Sequence, residues 1–427
     1  MFKIKFLSLF ITLSLLNPMV IKAVENNPVL DSLITEALKA NPDIIAADYE
    51  LQSKKYSVSA TGQLPDPQFS IGFLNLPHSS LSFNETPMSG ISVGISQKFP
   101  WISKLTNQRK IAGLKYEISG INKHANQLRV IRMISAAYYE YSYWLEVEKI
   151  IEHNKDLIEG LINTAQTRYS NGYGSAKDVY NSQISLTKLE YYQLEIENRK
   201  RDALLLLSQL LDIDYSQSGL KDLKAHLPEI SALKDPAFYM ESAFRNNPGY
   251  NMSGKKTKLS KKKYNLSKAA YMPDLTIGVE YRFRENAPMD ILEGEDFLSA
   301  RLLMNLPLWF LSKQRNEVMA AKKMVLSAEA EDHSMKNRIE KEISVLYSEL
   351  RRLSKSVNLY ENMLIPRAES ALESVEIAYR VDKGDFHELI DAQIQMLNFQ
   401  LDRLKIVNDY NQTLAMLREL TGISFEE

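Results

Sequence analysis

The chain is one unit written twice. Glu36-Ala37-Leu38-Lys39-Ala40-Asn41-Pro42 returns as Ser242-Ala243-Phe244-Arg245-Asn246-Asn247-Pro248. Leu64-Pro65-Asp66 returns as Met272-Pro273-Asp274, and Phe99-Pro100-Trp101 as Leu306-Pro307-Leu308-Trp309. Tyr169, Gly174, Val179 and Gln183 match Tyr379, Gly384, Leu389 and Gln393, and Leu207, Leu210 and Ile213 match Leu417, Leu420 and Ile423. The offset stays between 206 and 210 residues throughout. A duplication of this kind dictates that every structural element occurs twice. It divides the chain into a leader at 1–23, a first repeat at 24–230 and a second at 231–427.

Within each unit the hydrophobic period changes from helical to alternating and back. Residues 30–61 read as one helix. Phe69, Ile71 and Phe73 then alternate with Ser70 and Gly72, and Ile91, Val93 and Ile95 with Ser92, Gly94 and Ser96. The second unit alternates over 275–284 and 297–306, against strands near 68–74 and 90–98 in the first. Period two means strands with one apolar and one polar face. Long helical stretches follow at about 103–170 and 312–381, with return helices at about 175–212 and 385–421. Ile339, Ile343, Leu346, Leu350, Leu353, Val357, Tyr360 and Leu364 are spaced alternately four and three apart, as are Ile390, Ile394, Leu397, Leu401 and Leu404. That is a coiled-coil seam between antiparallel helices. Pro366 is expected to interrupt the second long stretch. The expected class is mainly α with a membrane β part.

The leader is an export address. Lys3 and Lys5 precede an apolar run from Phe6 to Leu16, Asn17-Pro18 breaks it, and Ala23 offers a small residue for cleavage. The run is too short to span a bilayer as a helix. Four strands, apolar on one face and polar on the other, in an exported chain fit a transmembrane β-barrel. A bilayer tolerates no open sheet edge, and four strands close no barrel, so copies must combine. Two copies would give eight strands and a filled interior, so an open channel favours three or more. Trp101 and Trp309 follow the second strand of each unit, where an interfacial aromatic girdle belongs.

Other classes find little support. Lys+Arg total 52 against 53 Asp+Glu, without the basic excess of a nucleic-acid binder. Cysteine is absent, which removes disulfides, thiolate metal sites and a Cys nucleophile. None of the six histidines has metal-ligand spacing. No phosphate loop or nucleophile elbow occurs, so no enzyme, cofactor or metal site is expected. The competing class is a soluble periplasmic coiled-coil scaffold or adaptor, which requires the apolar strand faces to be buried within one chain.

The Ala-Asn-Pro at Asn41, the Leu64-Pro65-Asp66-Pro67 entry to the first strand and the duplicated segments 168–175 and 379–386 together resemble the TolC family of outer-membrane channels. The resemblance covers nearly all of the mature chain. It implies a homotrimer: a 12-stranded β-barrel in outer-membrane lipid, continued by a periplasmic α-helical barrel, serving as the passive exit duct of a tripartite efflux or type I secretion system. An inner-membrane pump would supply the energy. A periplasmic adaptor would dock at the helical tips, which makes Gly172, Gly174, Ser175, Gly384 and Asp385 contact candidates. Glu388 and Asp391 match positions that line the periplasmic aperture, and Asp178 and Tyr379 match positions that hold it shut. The segments 72–77, 85–88 and 95–101 are similar to members serving heavy-metal resistance-nodulation-division pumps.

Overall fold

Asn41 and Asn247 organise the start of each unit. Both precede a proline, whose ring disfavours helical backbone in the residue before it. The computed structural model, which describes residues 27–216, 219–381 and 383–423, accordingly has two helices where the periodicity suggested one. They are α1 (Pro28–Ala40) and α2 (Pro42–Ala60), joined at Asn41 in an extended conformation with ψ 123°. The Asn41 side chain accepts from the Asp43 N–H and so caps α2. The second unit repeats the device in α5 (Pro236–Asn246) and α6 (Pro248–Ala269), with Asn247 accepting from Tyr250 N–H. The leader at 1–23 lies outside the described residues.

The strands are β1 (Gln68–Leu74), β2 (Gly90–Phe99), β3 (Leu275–Phe283) and β4 (Phe297–Met304). They form one antiparallel sheet in the order β1-β2-β3-β4. The second hairpin copies the register of the first. Phe69 faces Ile95 and Ile71 faces Val93, while their counterparts Ile277 and Val279 face Leu302 and Ala300. The units are stitched by β2 and β3, where Ile95 faces Val279 and Val93 faces Tyr281. Among the described residues, strands β1 and β4 are left as free edges.

From the sheet runs α3 (Ile102–Ser170), 69 unbroken residues or about 100 Å. It returns as α4 (Ala176–Leu211). The second unit runs out through α7 (Arg315–Leu359) and α8 (Ile365–Arg380) and back through α9 (Phe386–Thr421). A wide π-type turn at Tyr360–Leu364 separates α7 from α8, directly before Pro366 in the first turn of α8. The missing proline N–H and its ring explain why the regular ladder fails there. A second π-type turn at Phe310–Gln314 opens the outgoing stretch, beside the extra residue Leu308.

Near the sheet α3 packs against α2 and α6, and farther away against α4 and α9. Helix α9 lies between α3 and α7–α8. On α7 the expected seam residues Ile339, Ile343, Leu350, Leu353 and Val357 are buried. On α9 the strict seam fails at Ile394, which is exposed, while Gln393 is buried. A helix packed on both flanks buries a wider stripe than a two-helix seam. Gln393 donates to Asn154 Oδ1 on α3 at 2.9 Å, which satisfies it there.

Candidate functional site

The sheet is inverted relative to a soluble one. Its apolar face carries Phe69, Ile71, Phe73, Ile95, Ile277, Val279, Tyr281, Phe283, Leu298 and Leu302, all exposed. Phe69 is 67% exposed and Leu298 73%. On the opposite face of the middle strands Ser92 is buried, and Glu280 and Arg282 are half-buried. Glu280 holds Arg282 at 3.6 Å and Arg301 at 3.8 Å. A contiguous exposed apolar surface rimmed by polar groups marks a site of association. No helix among the described residues is long and apolar enough to cross a membrane.

Where strands become helices, the two tryptophans sit at corresponding places. Trp101 is 41% exposed and Trp309 73%, the latter flanked by exposed Leu308, Phe310 and Leu311. Beneath Trp101 the second unit clamps the first. The Asp274 carboxylate accepts from Trp101 N–H at 3.1 Å and Lys104 Nζ at 2.7 Å, with Lys98 Nζ at 3.4 Å. Lys104 also donates to Met272 O at 2.8 Å. Burial pushes the Asp274 carboxyl up, but Lys104, the Trp101 N–H and Lys98 outweigh it and hold it below the usual carboxylate range.

The far end of the sheet is closed by two loops, 75–89 and 284–296. Arg284 is almost fully buried and ion-paired to Asp290. It donates to Glu295 O at 3.0 Å and, across to the first loop, to Pro87 O. Its guanidinium lies 4.4 Å from the Phe297 ring centroid. Sequence reasoning missed this clamp because its partners lie on two loops without periodicity.

At the opposite end are the helical tips. Gly172 has φ +80°, a left-handed conformation that favours glycine. A side chain on Gly384 would meet Tyr379 N at 2.8 Å, so only glycine fits this approach. Ser175 caps α4 by accepting from Lys177 N–H at 3.1 Å, and Asp385 caps α9 by accepting from His387 N–H at the same distance. Asp178 completes a capping box, its carboxylate accepting from Ser175 N–H at 3.3 Å. Tyr379 is buried against Phe386, ring centroids 5.4 Å apart. Arg168 crosses from the first tip to lie 4.7 Å from the Tyr379 ring centroid, joining the two turns. No periodicity or motif in the sequence pointed to this contact.

Glu388 and Asp391 share the exposed face of α9, while Leu389, Ile390 and Gln393 face inward. His387 Nε2 lies 3.6 Å from Asp391 Oδ2. The structure thus brings Glu388, Asp391 and His387 to one surface beside the tip, with Tyr379 beneath it in the packed cluster. Midway along the helices is a cleft of about 660 Å³, lined by Glu140, Glu195, Arg199, Asp402, Lys405 and Asp409 among others. The Glu140 carboxylate takes the Trp144 indole N–H at 2.8 Å and the Asn408 amide at 2.9 Å.

The model of the outer membrane efflux protein family matches residues 33–212 and 240–423, nearly the whole of both units. No curated protein sequence matches the chain. Among solved structures, the outer-membrane channel OprN is similar with a TM-score of 0.80 at 15% identity, over 94% of this chain and 91% of that one. The outer membrane protein VceC of Vibrio cholerae gives 0.78 at 16%, over 93% and 97%. The CmeC outer membrane channel of Campylobacter jejuni gives 0.71 at 14%, over 95% and 90%.

Proposed function

The chain belongs to the outer membrane efflux protein family, and from that premise we propose a trimeric exit duct with an acidic periplasmic mouth. The chain is an outer-membrane channel and not an enzyme. In the proposed assembly three copies pair their free edges into a 12-stranded barrel, with the face of Phe69, Val279 and Leu298 against lipid and that of Ser92, Glu280 and Arg301 against the lumen. The carrying observation is the exposed apolar face of a sheet with two unpaired edges. A soluble scaffold would have to cover that face within one chain, and among the described residues nothing covers it.

Trp101 and Trp309 would sit at the periplasmic lipid interface, where amphipathic rings are favoured. The helices extend the duct into the periplasm. Glu388 and Asp391, repeated in three copies, would make two carboxylate rings that attract cations. Asp178 and Tyr379 support the mouth from beneath, one by capping α4 and the other by receiving Arg168 of the first turn on its ring. Gly172, Gly174, Ser175, Gly384 and Asp385 form the tips offered to a periplasmic adaptor, and the driving force comes from an inner-membrane pump. The likeness of 72–77, 85–88 and 95–101 to heavy-metal members favours a cationic cargo, which an acidic mouth suits.

The test is purification from outer membranes followed by single-channel recording in planar bilayers. Small, cation-selective conductance that loses selectivity in Glu388→Gln/Asp391→Asn supports duct and mouth together. Unchanged selectivity removes the mouth, and a soluble protein without conductance removes the duct.

A further inference from the structure

The seam joining the two units inside the chain occurs at three heights: β2 on β3, α3 on α6, and α3 on α9. Duplication makes β4 the counterpart of β2, β1 of β3, α7–α8 of α3, α2 of α6 and α4 of α9. The outer faces of β4 and α7–α8, and those of β1, α2 and α4, are therefore two halves of that same seam, separated at opposite sides of the chain. Inside the chain the two outgoing helices align residue for residue, which fixes the correspondence between them. Ile131, Ser135 and Ser142 on α3 match Ile339, Ile343 and Leu350 on α7, and all six are buried.

At the lowest level the in-chain seam is fixed by the buried amide pair in which Gln393 donates to Asn154 Oδ1. The counterparts are Gln183 and Asn362, the same two residue types, and both are exposed within one chain. Asn362 even repeats the local bond of Asn154. Asn154 donates to Ile150 O at 2.8 Å and Asn362 to Asn358 O at 3.2 Å, each four residues back. That leaves each side-chain oxygen turned to accept. Exposed Gln and Asn are ordinary on a solvated face, but these two stand where the in-chain seam carries its amide pair, and a polar pair within an apolar seam specifies register between helices.

We propose that Gln183 of one copy donates to Asn362 of the next, an intersubunit amide pair that sets the register of the ring; the proposal rests on the trimeric duct described above. The same transfer carries up the seam. Exposed Asp66 takes the place of Asp274 and sits on the Trp309 N–H and Lys313 ammonium of the adjacent copy. In the barrel, Ser96 facing Gly278 becomes Leu303 facing Ser70 of the adjacent copy, and Ile95 facing Val279 becomes Leu302 facing Ile71.

The absence of native cysteine makes the test clean. Opposed residues of an antiparallel pair lie about 4.5–5.5 Å apart at Cα, within disulfide range. Full-length Ser70→Cys/Leu303→Cys, oxidised in isolated outer membranes, should give reducible covalent dimers and trimers on non-reducing gels. Gly72→Cys/Leu303→Cys, displaced by two residues, should give at least tenfold less. Gln183→Cys/Asn362→Cys should give the same ladder with a short bis-maleimide, and Gln183→Cys/Asn154→Cys should not. Each single-cysteine variant is first sized, so that only assembled protein is compared. Native-size trimers that fail to cross-link at these pairs, or that link best in the displaced pair, overturn the seam and leave the duct standing. Unlinked soluble monomers of the unsubstituted chain overturn the duct itself.

Discussion

The Asn41 amide donates to the Leu210 carbonyl oxygen at 2.9 Å, tying the first helical break to the end of the returning helix. Asn247 does the same to Leu420 at 2.7 Å. Each asparagine therefore does two things: its oxygen caps the helix that follows and its nitrogen satisfies a carbonyl at the end of another. Asn41→Ala loses both and should cost about 1–3 kcal/mol, read in urea unfolding of the detergent-solubilised protein. Asn41→Asp retains the capping oxygen but turns a carboxylate on the Leu210 carbonyl. It should be at least as destabilising as alanine. A neutral aspartate variant would show that capping alone matters.

Charge on the exposed apolar face should separate lipid from solvent. Val279→Arg should cost about 2–4 kcal/mol if the face meets the bilayer midplane. Recovery of folded protein in the outer membrane should drop accordingly. Ser299→Arg, on the opposite face and across from Glu280, should be tolerated. Equal recovery of the two variants would contradict the assignment of faces.

Arg284 holds the two loops at the outer end. Arg284→Ala leaves Asp290 buried without its ion pair, a loss of about 3–5 kcal/mol for that local structure. Loops 75–89 and 284–296 should then be cleaved by protease added to intact cells, while the unsubstituted protein resists.

Asp409, at the mid-helix cleft, should make stability depend on acid. Asp409 is exposed at the cleft mouth, but partial desolvation there raises its carboxyl, Lys405 opposes this, Glu140 adds to it, and Arg352 and Glu349 act in opposite directions more weakly. A carboxyl raised in the folded state contributes stability that is fully present below the unfolded value and is lost as pH rises through the folded value. Charged Asp409 is thus a cost at neutral pH. Asp409→Asn should raise Tm at neutral pH and flatten its rise on mild acidification. A lower neutral Tm in the variant would contradict this.

Much of the architecture was legible because duplication and periodicity report on repeated, regular surfaces. Phe69, Ile71 and Phe73 announced a strand face, and Trp101 and Trp309 announced where strands give way to helices. Periodicity reports that a face is covered, not by how many neighbours. So Ile394 was read into a two-helix seam while α9 actually buries Gln393 between α3 and the α7–α8 stretch. The break at Asn41 was masked by apolar residues on both sides, although the following proline carried the signal. Arg284 and Arg168 were beyond sequence reading, since each reaches partners far along the chain whose nearness is a product of the fold.

The central claim is that one chain is a third of a channel. Its most direct test is the molar mass of the outer-membrane-extracted protein in mild detergent, by light scattering corrected for bound detergent. Three chains per particle is the predicted result. A single chain, stable without detergent, would contradict it.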